Sequence, residues 1–510
     1  MSGLFRNELD AKVAQTLVEI IYTNPFKAER ETLNEAVLNL TRNYADGMRM
    51  EVVEDPLTDN EEIQLHLHVS KSILDYGKAQ LLTQGVSVKA EQYAVYEHLC
   101  YFYLFHRHLG SIDTYIRTCL EHPQDNPKWS GFRNLERDYQ SYLELPMEGL
   151  PKPVYKIEEF ASFCFQIRRA FFHTYLSIRG QSRVIQELRA RVWDSVFTHD
   201  MRRYLRGLYK RMADIYTLIT GPSGSGKEVV ARCIGLSRFI PFDRSSEQFE
   251  RNFIESFHGI NLSALSPTLI ESELFGHRKG AFTGALQDRQ GYFESAGAFG
   301  TVFLDEIGDT ATDIQVKLLR VLQTRQFQPL GDSRTLEFQG KVMAATNVDL
   351  VGAIQNGGFR EDLYFRLCAD VIETPTLKAV LEDDAKEIRH LLEYLCRKFA
   401  GSEEGDSFVK ECMRWISSHL PKHYSWPGNF RELEQCVRNM MVQGAYYPKT
   451  LNKSSGKEAR FAEIDQGRLT LDELVGWYVT QEYHRTPSFA EVAHRLQVDP
   501  RTVKKHLQGC

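Results

Sequence analysis

The sequence predicts a multidomain α/β protein: a P-loop-type core with a parallel sheet, preceded by a helix-rich N-terminal third and followed by further helices. Three observations carry this. The apolar run Tyr216-Thr217-Leu218-Ile219-Thr220 feeds a glycine-rich turn. A second apolar run, Thr301-Val302-Phe303-Leu304, ends in the acids Asp305 and Glu306. On either side of this core, apolar residues recur at helical spacing.

Length and composition narrow the class. The 510 residues suffice for roughly three to four domains. With 42% hydrophobic and 25% charged residues, the composition is that of a globular chain rather than a disordered one. The net charge of -6 gives no global sign of nucleic-acid binding, so any DNA contact must come from a local patch. The nine cysteines are scattered without a CxxC pair, which points to reduced thiols rather than a disulfide framework or a zinc site. There is no basic-then-apolar leader and no apolar run of ~18 residues, so a cytoplasmic protein without a membrane span is expected.

Residues 1 to about 145 read as mainly helical, through Val13, Leu17, Ile20 and Ile21 and again through Leu99, Phe102, Phe105 and Leu109. Gly110 reads as a C-cap and Ser111 as the next N-cap. Met48–Val53 and Ile63–Val69 alternate like strands around a turn, which predicts one hairpin. His98, Cys100, His106 and His108 fall within an aromatic run. Metal ligation is one reading; on a single helix, however, these spacings do not converge, and a packed aromatic helix fits better. Pro146–Pro153 reads as a linker, and helix returns from 155 to about 215, interrupted at Gly180-Gln181-Ser182.

The turn itself is Gly221-Pro222-Ser223-Gly224-Ser225-Gly226-Lys227-Glu228. Glycines let main-chain N–H groups turn inward around phosphate oxygens, the following helix adds the positive end of its dipole, and Lys227 reaches the β- and γ-phosphates. A glycine-rich turn can also be purely structural, and the usual Ser or Thr after the lysine is Glu228 here. The second strand removes much of that ambiguity. Two acids closing a buried strand are costly without a cation, and Asp305 is placed to hold Mg²⁺ while Glu306 polarises water. Together the two motifs predict a nucleotide hydrolase with ATP and Mg²⁺ as cofactors.

Between these motifs, Gly280-Ala281-Phe282-Thr283-Gly284-Ala285 has no helical or strand period and reads as a mobile loop exposing an aromatic. Asp384 to Tyr447 is helical, punctuated by Trp426-Pro427-Gly428-Asn429, and a polar stretch from Tyr447 to Glu463 reads as a second linker. The last forty residues give two short amphipathic helices joined by a tight turn, with Arg501, Thr502, Lys504 and Lys505 on the second. That spacing fits a helix-turn-helix touching phosphates and base edges; a solvated helical hairpin is the alternative.

The stretch from Gly280 to Ala285 spells GAFTGA, and with it the chain resembles the bacterial enhancer-binding proteins, AAA+ activators that remodel RNA polymerase carrying sigma-54. The resemblance runs from about 178 to 445 and includes Gly291-Tyr292-Phe293-Glu294 and Trp426-Pro427-Gly428-Asn429-Phe430-Arg431-Glu432-Leu433. The C-terminal unit is similar to that family's Fis-like DNA-binding domain. In this family the P-loop lysine is followed by Glu, as Lys227 is by Glu228.

The resemblance implies several roles. Asn347, in Ala345-Thr346-Asn347, resembles sensor I. Arg431 resembles the sensor II arginine, and Asn261 the residue that switches the Walker B glutamate. Arg360 and Arg366 resemble the arginines that reach a neighbouring subunit's nucleotide, so a ring, commonly a hexamer, is implied. Gly280, Ala281, Phe282, Thr283, Gly284 and Ala285 would touch the sigma-54 holoenzyme, and the last helix would hold upstream double-stranded DNA.

The implied layout is an N-terminal regulatory domain (1–150) for an unidentified signal ligand or regulatory protein, then an AAA+ core with its preceding helices (155–372). A helical lid (373–447), a linker (448–467) and the helix-turn-helix (468–510) follow. Two departures stand out. Thr374-Pro375-Thr376-Leu377-Lys378-Ala379 replaces the family's Pro-Pro-Leu-Arg-Glu-Arg segment, and Phe239 to His258 is longer than the usual connection.

Overall fold

The computed structural model describes residues 3–48, 60–84, 88–147, 149–448, 470–486 and 488–508. They fall into two compact units, Met1–Gly444 and Ala445–Cys510.

The first unit is built on a five-stranded sheet. Its strands are β1 (Thr217–Thr220), β2 (Phe257–Asn261), β3 (Thr301–Asp305), β4 (Lys341–Thr346) and β5 (Asp370–Glu373), in the order β5-β1-β4-β3-β2. Every pairing is parallel, with Thr217 opposite Met343 and Asp370, and Asn261 opposite Asp305. The central strands β3 and β4 are near-continuous apolar runs because both faces are covered. Since β1 lies between β4 and β5, the chain reverses its winding there. The carboxyl ends of β1, β3 and β4 therefore open a crevice at the reversal.

The N-terminal third folds as helices. They are α1 (Glu8–Tyr22), α2 (Ala28–Met48), α3 (Glu61–Gln84), α4 (Ala90–Arg107), α5 (Leu109–Glu121) and α6 (Phe132–Leu143). Two expectations are corrected here. Ile63–Val69 lies inside α3 rather than in a strand: Asn60 Oδ1 accepts from the N–H groups of Glu62 and Ile63, and Leu67, Ile73, Leu74 and Leu81 are buried at helical spacing. The other arm and the turn of that hairpin, 49–59, lie outside the described residues. Nor do Gly110 and Ser111 cap anything. α4 gives way to α5 at His108, whose ring bonds Asp138 Oδ2 at 3.1 Å and whose N–H donates to Leu104 O, so Gly110 falls in the first turn of α5.

The histidines along α4 satisfy their Nδ1 atoms on the preceding turn, His98 on Ala94 O and His106 on Phe102 O. The described residues of 146–153 are irregular, yet the segment is strapped to α4. Tyr93 Oη donates to Pro151 O and Val154 N to Glu97 Oε1.

Helices α7 (Ile157–Ser177), α8 (Arg183–Phe197) and α9 (Met201–Arg206) lead into β1, and α10 (Lys227–Gly235) follows it. Ser182 caps α8 by accepting from Ile185 N, which explains the break at Gly180-Gln181-Ser182. One hydrophobic core runs without interruption from α1 through α7 to α10.

The long connection between α10 and β2 is what closes this core. Phe242–Asp243 and Gln248–Phe249 pair as a short antiparallel hairpin. Phe249 stacks against Phe165, ring centroids 4.1 Å apart, and Phe242 lies 4.4 Å from Phe132. Trp129 N donates to Glu247 O, and the buried Asn252 side chain donates to carbonyls at the end of α5, at 2.8 Å to Asp125 O. The extra residues thus form a joint between the N-terminal helices and the sheet domain.

Beyond β2 come α11 (Pro267–Phe275), α12 (Tyr292–Ser295), α13 (Thr312–Thr324), α14 (Leu350–Gln355) and α15 (Glu361–Leu367). The helical region after β5 comprises α16 (Leu377–Asp383), α17 (Glu387–His419, kinked at Gly401) and α18 (Asn429–Gln443). Where Thr374–Ala379 departs from the family, Thr376 caps α16 by accepting from Ala379 N. The second linker lies almost wholly outside the described residues, which resume at Thr470.

The second unit is three helices, α19 (Leu471–Arg485), α20 (Phe489–Leu496) and α21 (Pro500–Gln508). They close on Val479, Val492, Ala493 and Val503. A capping box at Thr470 and Glu473 starts α19, and Ser488 caps α20. Gln497 ends α20 with φ +53°, so it takes the left-handed turn position itself. On α21, Arg501, Lys504 and Lys505 are exposed and Thr502 is half-buried.

Candidate functional site

The crevice becomes a cleft of 430 Å³ bounded by the P-loop, the Asp305-Glu306 pair, the segment between α7 and α8, and the helices α17 and α18. Its floor is set by backbone geometry. Gly221, Gly224 and Gly226 have φ of +145°, +76° and +94°. A Cβ on Gly224 would lie 2.3 Å from Gly428 O, so the loop and the start of α18 approach as only glycine allows.

Ser225 Oγ bonds Pro222 O at 2.7 Å and Thr374 Oγ1 at 2.6 Å, and Thr374 in turn donates its N–H to Thr220 O. Asn429 ties the other rim, its side chain donating to Ser223 O and accepting from Leu377 N.

The charges in the cleft lack full partners. Lys227 Nζ rests on the loop's own carbonyls, Gly221 O at 3.0 Å and Pro222 O at 3.3 Å, and burial lowers its pKa. Asp305 is raised by burial and then by Glu306 beside it. Among the described residues neither acid has an ion-pair partner within salt-bridge distance. A cradle of inward backbone, an amine parked on carbonyls and an unpaired acid pair fit a triphosphate and a divalent cation. Asp305 would hold the cation.

Glu306 adopts φ +55°, and Asn347 N donates to its Oε2 at 3.4 Å. Asn261 lies opposite Asp305 in the sheet, but its side chain accepts from Ser263 N and Oγ rather than meeting Glu306. Arg431 extends from α18 to Ser223 Oγ at 3.1 Å. Glu228 lies on the cleft wall in the first turn of α10, where its charge suits the helix dipole.

Arg360 and Arg366 are absent from the walls of this cleft. Arg360 forks onto Asp362 at 3.0 and 2.7 Å, and Arg366 is exposed on α15. The 280–285 loop is likewise apart. It rises from a two-stranded stem, Gly276–His277 against Arg289–Gln290, and closes through Gly280 N to Ala285 O at 2.9 Å.

Phe282 corrects an expectation. It is half-buried against His277, centroids 5.0 Å apart, while the large apolar side chain in the open is Leu286, 83% exposed. Thr283 is exposed.

Sequence reasoning missed part of the wall. Ile178, Arg179, Ile185 and Leu188 line the cleft from one side and Tyr394 and Lys398 from the other, with the Arg179 guanidinium 4.6 Å over the Tyr394 ring. The break at Gly180-Gln181-Ser182 was the available signal. Thr374 was also missed as a brace of the P-loop, since a lone threonine after a strand has no motif.

A family model for the sigma-54 interaction domain matches residues 197–373. The regulatory protein LuxO of Vibrio parahaemolyticus serotype O3:K6 is 36% identical over 305 residues, 57% of this chain and 63% of that protein. The Nif-specific regulatory protein of Azotobacter vinelandii is 40% identical over 311 residues, 57% of this chain and 53% of its own length. The sigma54-dependent transcriptional regulator SfnR of Pseudomonas fluorescens strain Pf0-1 is 42% identical over 225 residues, 44% and 56% of the two chains. The chain thus spans between about half and just under two thirds of the length of these relatives. With its P-loop cleft on a β5-β1-β4-β3-β2 sheet, the chain carries a region across residues 197–373 that matches the sigma-54 interaction domain, and over that region it is similar to these transcriptional regulators.

Proposed function

We propose that the chain is an ATP-hydrolysing transcription activator of the bacterial cytoplasm that works as a ring on RNA polymerase carrying sigma-54. The observation that carries this is the separation of two parts within one compact unit. One cleft gathers Lys227, Asp305, Glu306, Asn347 and Arg431, and a loop with Thr283 at its tip stands on its own stem.

Bound ATP with Mg²⁺ would supply the reactive phosphate and the charge neutralisation for attack by water. Lys227 would leave the carbonyls of Gly221 and Pro222 for phosphate oxygens, and Glu306 would orient and deprotonate water. Asn261 would exchange Ser263 for Glu306 when the site switches. Arg360 and Arg366, outside their own chain's cleft, would complete the cleft of a neighbour. Arginine suits that role because its charged fork matches phosphoryl oxygens. The loop from Gly280 to Ala285 would engage sigma-54, and Arg501, Thr502, Lys504 and Lys505 on α21 would hold upstream double-stranded DNA.

The test is open-complex formation on a sigma-54 promoter with purified polymerase and ATP. Wild type should open the promoter, Glu306→Gln should not, and Thr283→Ala should keep ATP hydrolysis while losing promoter opening. Normal activation by Thr283→Ala would sink the assignment of the loop.

A further inference from the structure

A second cavity, of 220 Å³, lies among the N-terminal helices, walled by α1, α4, α7 and α8. Its lining is mainly apolar, from side chains such as Ile20, Phe105, Phe163, Ile167, Phe171 and Trp193. Protein interiors seldom leave voids larger than a water molecule, and an apolar hole of about 150 Å³ is enough to take up benzene. This cavity is larger, and aromatic side chains of the surrounding core line it.

Its polar groups are few and unequal. Arg168 forks onto Asp113 at 2.6 and 2.7 Å, so its charge is neutralised. His106 has its Nδ1 on Phe102 O and is held neutral by burial, its pKa pushed down to about 4. Arg30 differs. Its Nη1 donates to Ile20 O and Thr23 O and its Nε to Asn34 Oδ1, all uncharged acceptors. Among the described residues no carboxylate pairs with it, although burial lowers its pKa to about 10. A guanidinium held by neutral partners beside an apolar void costs free energy that an anionic ligand would recover.

We propose that this cavity binds a compact aromatic or short aliphatic carboxylate, its apolar body between α1, α4 and α7 and its carboxylate on Arg30. The site stands next to the machinery. On α7, Arg169 donates to Leu236 O and Arg238 O just past the end of α10, so one helix separates the ligand from the helix that begins at Lys227.

The test is titration calorimetry on the full chain with benzoate, hexanoate and benzyl alcohol as probes. Benzoate or hexanoate should bind saturably, about tenfold more tightly than benzyl alcohol, as a hydrogen bond to a charged group warrants. Arg30→Gln should bring the carboxylates down to the level of benzyl alcohol. Because Arg30 also tethers the end of α1, Ile63→Phe provides an independent arm: it fills the cavity without touching Arg30 and should weaken every probe about tenfold or more. Equal binding of benzoate and benzyl alcohol overturns the carboxylate assignment. No binding of any probe at millimolar concentration, or binding that Ile63→Phe leaves unchanged, overturns the site.

Discussion

The nucleotide cleft and the aromatic joint flank the same helix, α10, and are built in opposite ways. At its amino end the cleft keeps charge in reserve. Lys227 sits on backbone carbonyls, Asp305 is raised by burial, and three glycines hold left-handed or extreme φ. Beyond its carboxyl end the joint spends its groups on itself. Trp129 Nε1 donates to Ser111 Oγ, Asn252 serves carbonyls of the α5 terminus, and Phe249 packs tilted against Phe165 and edge to face against Phe242. A binding site must hold interactions open for a ligand, whereas a joint is stable only if it leaves few open.

The largest test of that contrast is Glu306→Gln. Hydrolysis should fall about 10³-fold, with nucleotide binding and the melting temperature nearly unchanged. A steady-state ATPase assay with a nucleotide titration reads both quantities, and a large loss of stability would break the comparison.

Phe249→Ala should do the reverse. Removing a ring that is 1% exposed should cost about 3–5 kcal/mol in urea unfolding while leaving the residues of the cleft in place. If the unfolding curve splits in two, the joint is what makes the N-terminal helices and the sheet one cooperative unit.

Asn252→Ala removes the joint's polar anchor and should cost about 1–3 kcal/mol by the same measurement. A cost near zero would mean the aromatic stack alone holds the joint.

The smallest effect per pH unit is read at Lys341. Lys341 begins β4 on the joint side, donates to Ile215 O, and is pushed down from 10.5 to about 7 by burial. Between pH 7 and about 10 the unfolded chain keeps a proton that the folded chain has released, so stability rises with pH across that window, and the full penalty applies below pH 7. The slope should be at most on the order of 1 kcal/mol per pH unit, and Lys341→Met should flatten it. An unchanged slope in the variant would show that other groups set the pH dependence.

Much of the cleft was legible because its chemistry is local in sequence. A glycine-rich turn after an apolar strand, and two acids closing another, each need only a few consecutive residues. Arg431 and Asn347 were legible only through resemblance, since a lone arginine or asparagine carries no periodic signal. Ile63–Val69 was misread because strict alternation over seven residues is a strand signature; in the helix the buried positions are instead Gln64, Leu67, Val69 and Ser70, and the cap at Asn60 starts the helix. Phe282 looked exposed because Gly280 and Gly284 bound a short aperiodic loop around it; His277, brought alongside by the stem, half-covers it.

By itself the sequence determined the P-loop, the acid pair, the helical periods on either side and the amphipathic helices near the end, because each depends on backbone conformation or spacing within one segment. Only the tertiary structure decided that Thr374 braces Ser225 and that Arg179 and Tyr394 form a wall. It also decided that residues 239–258 join the N-terminal helices to the sheet, and that a cavity remains beside Arg30. These depend on side chains far apart in the chain meeting at close range, and pairwise packing across such separations leaves no periodic trace in the order of residues.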